Sequence, residues 1–192
     1  MKKVLVVMAA ALVMISCGGK KVAPTKGEVE VNVPCKEFKT DKNTLRANGN
    51  AISPNMQNAT DKAMQAARRE LATSIEATVQ RVLEDFSSSY DLDNQADFRA
   101  RTKDLTRTVV NQKLQGSVAV CDKVTRTTEK DGSVMYHAYV AVELTSNELM
   151  ESLLNNTKKA ISDSEKLRTD FEYEQFKKTF EAEMEKLAGA QQ

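Results

Sequence analysis

The sequence predicts an α+β fold: a long helix packed on a small antiparallel sheet with a long β-hairpin, plus a covering helix and an amphipathic helical C-terminal tail. Three observations carry this expectation. Apolar residues recur every three or four places at Ala59, Ala63, Ala67, Leu71, Ile75, Val79, Leu83 and Phe86, the spacing of one buried helical stripe. Val134, Tyr136, Ala138, Val140, Val142 and Leu144 alternate with Met135, His137, Tyr139, Ala141 and Glu143, which is the period of a strand with one face in a core. Asp131-Gly132 is a strong hairpin turn, and it joins this run to an earlier β-rich segment that begins at Val118.

Residues 1–16 read as a secretory signal. Lys2 and Lys3 supply its charge, and residues 4–15 are an apolar run too short for a bilayer span of roughly 20 residues. The run ends Met14-Ile15-Ser16-Cys17, followed by Gly18-Gly19-Lys20-Lys21. This resembles the lipobox of bacterial lipoproteins, and the resemblance implies a Cys17 that is acylated and becomes the mature N-terminus. Two or three acyl chains hold firmly where one binds only reversibly. Glycine at position 18, in place of the aspartate of inner-membrane retention, implies the outer membrane, on its periplasmic face or at the cell surface.

About 176 residues remain after the signal, enough for one domain with a real core. The 28 basic and 27 acidic residues nearly cancel, which argues against nucleic acid as a partner. Residues 17–34 read as a lipidated tether with little to bury. Within it Val29, Val31 and Val33 alternate with polar residues, as a short edge strand would. The domain itself is expected over residues 35–160, and the amphipathic C-terminal helix over residues 161–192.

The domain opens with an extended Thr44-Leu45-Arg46-Ala47, a turn at Asn48-Gly49-Asn50, and a helix capped by Ser53 with Pro54 at its first position. The alanines that begin the stripe would let a sheet approach the helix backbone closely. A second helix over residues 94–114 has Phe98, Leu105, Val109 and Leu114 on its apolar face, with Gly116 as its stop. After the hairpin, Thr145 and Glu148 form a capping box for a third helix carrying Leu149, Met150, Leu153 and Leu154. Ser162-Asp163-Ser164 marks a new cap or kink. Residues 165–187 then form one amphipathic helix with Leu167, Phe171, Phe176, Phe180, Met184 and Leu187.

Candidate chemistry is sparse. His137 is the sole histidine and has no nucleophile motif beside it. Asp91, Asp93 and Asp97 mimic the start of a calcium loop, but Ala96 and Thr102 stand where its glycine and final glutamate belong. No metal or cofactor is therefore expected. Phe171, Phe176 and Phe180 either pack on the domain or anchor a protein partner or a second copy. Cys35 and Cys121 are candidates for a disulfide in an oxidising compartment; the alternative is two separate thiols, Cys121 buried and Cys35 exposed.

At Arg46-Ala47-Asn48-Gly49-Asn50, then Ala59, Ala63 and Ala67-Arg68-Arg69-Glu70-Leu71-Ala72, the chain resembles a group of small bacterial envelope lipoproteins. The group includes the outer-membrane lipoprotein antigen of the Lpp-twenty type and the N-terminal domain of a flagellar assembly protein. The likeness spans roughly residues 45–154. It implies an α+β envelope module with no agreed catalytic residues. The expectation is thus a lipid-anchored, non-enzymatic envelope protein that works by binding or scaffolding. The alternative is a periplasmic enzyme or ligand carrier whose site forms only in the fold.

Overall fold

Ten residues, Thr44–Ser53, form strand β1, and the 34-residue helix α1, Met56–Ser89, follows it after a two-residue link. The structure, a computed structural model, describes residues 31–89 and 95–190. Next come α2 (Gln95–Thr102), α3 (Leu105–Gly116), β2 (Val118–Thr128) and β3 (Val134–Thr145). The chain closes with α4 (Ser146–Ala160), α5 (Glu165–Asp170) and α6 (Tyr173–Gly189). The expected α+β architecture is what forms: a three-stranded antiparallel sheet of order β1-β3-β2, with α1 packed on it.

The stripe of α1 is buried at every position read from the sequence, from Ala59 to Phe86. It meets the inner face of β3, where Ala138, Val140, Val142 and Leu144 are buried, and Leu45 and Ala47 of β1. A helix of this length reaches about 50 Å at 1.5 Å per residue. A 12-residue strand reaches only about 40 Å at 3.3 Å per residue. The excess helix carries α2, α3 and α6, which pack on it.

The expected turn at Asn48-Gly49-Asn50 does not exist. β1 runs straight through these residues, pairing Asn48 with Ala141, Gly49 with Val140 and Asn50 with Tyr139. Gly49 serves close approach instead. A Cβ there would lie 2.2 Å from the Ala63 carbonyl oxygen and 2.3 Å from the Ala67 nitrogen. The helix start also moves. Asn55 caps α1, its Oδ1 accepting from the Asn58 N–H at 3.0 Å, while Ser53 ends the strand and accepts from the Asn55 N–H at 3.2 Å.

The single second helix becomes two, α2 and α3, with the break at Lys103-Asp104. Aspartate competes with the helix for backbone partners, and here it begins the new helix. Phe98 in α2 and Leu105 and Val109 in α3 are buried as expected, and Gly116 is the last residue of α3.

The hairpin closes on Glu129, whose N–H donates to the Ser133 carbonyl at 2.8 Å, with Gly132 at φ 83. A bulge at Val120 shifts the register between Ala119 and Cys121, and it leaves Val118 exposed on the outer face. Thr145 caps α4 as expected, its side chain accepting from the Glu148 N–H at 3.3 Å.

The C-terminal segment breaks at Phe171, whose backbone is extended. Phe171 and Phe176 are five residues apart, about 140° around a continuous helix, so one helix could not aim both rings at one point. With the break, their centroids lie 5.3 and 5.2 Å from that of Phe86, and Phe98 lies 5.7 Å from it. Ile161, Leu167, Phe176, Phe180 and Met184 belong to the same core as α1. The C-terminal segment is therefore part of the domain. The edge strand expected at residues 29–33 lies partly outside the described residues, and residues 31–33 are not in a strand.

Gly49→Ala is expected to destabilise by about 3 kcal/mol or more, because two backbones would have to separate. Gly116→Ala, with nothing within 4 Å, should stabilise by about 0.4–1 kcal/mol. Denaturant midpoints of the two variants check both values. A tolerated Gly49→Ala would contradict the α1–β1 contact.

Candidate functional site

The outer face of the sheet is crossed by a strap, residues 35–41. Cys35 begins it in a left-handed conformation, φ 65, and is bonded to Cys121 across a Cα–Cα distance of 5.7 Å. The bulge at Val120 makes this pairing reachable, since it turns Cys121 onto the outer face opposite Ala141. Phe38 then packs over Cys35, Cys121 and Ala141 with Tyr139 and Val120. Its carbonyl accepts from Asn48 Nδ2 at 3.1 Å.

Arg46 fastens the far end of the strap. Its Nε donates to Glu143 at 2.9 Å, and its Nη1 donates to Asp41 at 2.7 Å and to the Lys39 carbonyl at 2.9 Å. Thr40 Oγ1 brackets the same residue, donating to the Arg46 carbonyl at 3.0 Å and accepting from its N–H at 2.9 Å. Partial burial by itself raises the Asp41 carboxyl. The Asn43 N–H and the Arg46 guanidinium outweigh it and hold the group below its usual range. Burial likewise works against the Arg46 charge, but its bonds to Glu143 and Asp41 raise its pKa. Nothing in the residue type marks Arg46 for this role; the sequence signal is the alternation of Leu45, Ala47, Gly49 with Arg46, Asn48, Asn50, which a turn at Asn48-Gly49-Asn50 would interrupt.

A second feature is a cleft of about 620 Å³ between α1 and the α2–α3 elbow. Glu76 and Glu84 line one side, and Arg99, Lys103 and Arg107 the other. Arg99 Nε donates to Ser87 Oγ at 3.2 Å. Among the described residues the lining contains no histidine or cysteine; the α1 side carries acids, and the elbow side carries bases with Asp104 among them.

The remaining candidates fall as follows. Cys17, Asp91 and Asp93 lie outside the described residues. Asp97 pairs with Arg101 at 3.0 Å, and Arg101 also binds Asp163, which ties α2 to the α4–α5 turn. That bond to Arg101 is the main cause holding the Asp163 carboxyl below its usual range. His137 Nε2 lies 3.2 Å from Thr127 Oγ1 on the outer face. Phe176 and Phe180 are buried and the partly buried Phe171 packs against the core, so the structure has these rings packed on the domain. The aromatic rings instead close one end of the domain's own core. Among the described residues no helix is long and apolar enough to cross a membrane, and no group of side chains could hold a metal ion.

Two outcomes follow. The disulfide closes a separation of 86 residues, worth up to about 4.6 kcal/mol in the chain-entropy model. The Cys35→Ser/Cys121→Ser double variant should lose about 2–5 kcal/mol in denaturant unfolding, while keeping its circular dichroism because neither sulfur touches α1. Equal midpoints for native and variant would mean unlinked thiols. The second concerns acid. Asp41 has a folded pKa below its usual 3.8, so its contribution is present above that value and is lost as pH falls through the depressed one. Amide exchange in residues 35–46 should therefore accelerate below about pH 4, and less so in Asp41→Asn.

No family model matches the chain, and no curated protein or solved structure matches it.

Proposed function

We propose that the chain is a lipid-anchored envelope protein that acts by binding or scaffolding rather than by catalysis. The observation that carries this reading is the Cys35–Cys121 disulfide in a chain that also bears the Met14-Ile15-Ser16-Cys17 sequence. Structural disulfides persist in oxidising compartments, which include the bacterial periplasm and cell surface. A cysteine at the end of a short apolar run, upstream of such a bond, fits a secreted and acylated chain. The strap starts soon after the expected tether and is fastened by the disulfide and Arg46. Force or motion passed along the tether would thus meet a cross-linked sheet.

The resemblance to envelope lipoproteins over roughly residues 45–154 supports the same address, with the outer membrane favoured by Gly18. The binding or scaffolding role is supported by where the polar chemistry lies. Arg46, Asp41 and Glu143 are tied to one another in holding the strap, and the elbow cleft sets acids of α1 against bases of the elbow with no histidine or cysteine among its described lining residues. A periplasmic enzyme or ligand carrier is the second reading, and the elbow cleft is the place it would use.

Cys17→Ala is expected to shift the protein from the detergent phase to the aqueous phase on Triton partitioning of whole-cell lysates. Partitioning equal to that of the native protein would overturn the lipid anchor.

A further inference from the structure

We propose that β2 is a self-association edge: two copies pair their β2 strands antiparallel about Val124, joining two three-stranded sheets into one of six strands. β2 is an outer strand of the sheet, and its residues from Asp122 to Thr128 are all exposed. The helical layer covers β1 and β3 far more than β2, so Val124, on the inner side, remains 38% exposed. Edge strands that stay single are usually blunted by a bulge, a proline or an inward charge. The bulge of β2 lies at its start, at Val120, its pairing with β3 from Cys121 to Thr128 is unbroken, and the two charges on its inner side, Asp122 and Arg126, are of opposite sign, so a second copy of the strand can pair them.

The ladder phase decides which groups are free. Glu129 donates its N–H to the Ser133 carbonyl, so Thr127, Thr125, Lys123 and Cys121 face β3 with their backbone groups in turn. The N–H and C=O of Asp122, Val124 and Arg126 therefore point away from the sheet. These are the residues whose backbone groups an incoming strand would meet.

Among the twofold registers, charge favours one. Antiparallel pairing centred on Val124 sets Asp122 of each copy opposite Arg126 of the other, twice, and Val124 against its own mate. Centring on Asp122 would oppose two aspartates, and centring on Arg126 two arginines. Opposite charges directly across a strand pair attract, and like charges there repel. Among the described residues neither the Asp122 carboxylate nor the Arg126 guanidinium has a hydrogen-bond or ion-pair partner. A twofold pairing of this kind is self-complementary and closes after two copies, so it forms dimers rather than fibres. The inference concerns the sheet edge alone and holds whether or not Cys17 is acylated.

Charge exchange tests it, by sedimentation equilibrium of the full chain in detergent, where any association through the shared N-terminal segment is common to all variants. The native chain is expected to dimerise reversibly. Asp122→Arg alone opposes arginines and Arg126→Asp alone opposes aspartates, and each should weaken dimerisation by about tenfold or more. Mixing the two single variants should yield a heterodimer of near-native affinity, and the Asp122→Arg/Arg126→Asp double variant should recover the homodimer. The recovery separates a pairing effect from misfolding. A native chain that stays monomeric up to about 1 mM overturns the proposal. So do single variants that dimerise like the native chain, or a double variant and mixture that fail to recover. A dimer that is native-like in every variant would assign association to another surface.

Discussion

Where α1 crosses β1 the two backbones are in contact, and the other elements are placed by that crossing. Gly49 supplies no Cβ, and Ala59, Ala63 and Ala67 present only methyl groups toward the strand. The helix can therefore lie low over the edge of the sheet at its start. The stripe then changes to Leu71, Ile75, Val79, Val82, Leu83 and Phe86, larger side chains that are also buried. They fill the space over β3 and then, beyond the sheet, the space enclosed by α2, α3 and α6. Small residues set the separation at one end, and bulk follows from it at the other.

The two ends of α1 are held by different physics. At the sheet end the contact is backbone on backbone, and the outer face opposite is covered by a strap fixed through a covalent bond and one guanidinium. At the far end there is no sheet, and Phe86 gathers Phe98, Phe171 and Phe176 at centroid distances of 5.2 to 5.7 Å. Such tilted and edge-on ring pairs add to the gain from burial itself. The break at Phe171 costs the hydrogen bonds of a continuous helix, and convergence of the rings offsets that cost.

Polar chemistry is concentrated on the outer face and at the rim of the helical layer. Arg46 is bonded to Asp41, Glu143 and the Lys39 carbonyl, so its charge is committed to the fold. Glu183 is a buried carboxylate on α6 held by Lys186, with Arg81 3.8 Å away, and it too serves packing between α6 and α1. In contrast, β2 leaves the helical cover and keeps an outward row of backbone groups with one carboxylate and one guanidinium beside it. Arg46, Asp41, Glu143 and Glu183 hold segments of the fold together, whereas Asp122 and Arg126 at the edge of β2 do not.

By itself the sequence determined the periodic features: the α1 stripe, the alternation of β3, the hairpin turn and the Thr145 cap. Each is a repeat of 3.6 or 2, or a local hydrogen bond, and needs no knowledge of distant residues. It also offered Cys35 and Cys121 as a pair, with the parity of Cys121 dependent on a bulge that residue types do not announce. Only the tertiary structure decided the role of Gly49, because a glycine read locally suggests a turn and a glycine beside a helix suggests contact. The same holds for the breaks at Asp104 and Phe171, which depend on where Phe86 and the rest of α1 lie. The fate of Phe171, Phe176 and Phe180 was open for that reason too: an amphipathic stripe states that a face is buried, and only packing states against what.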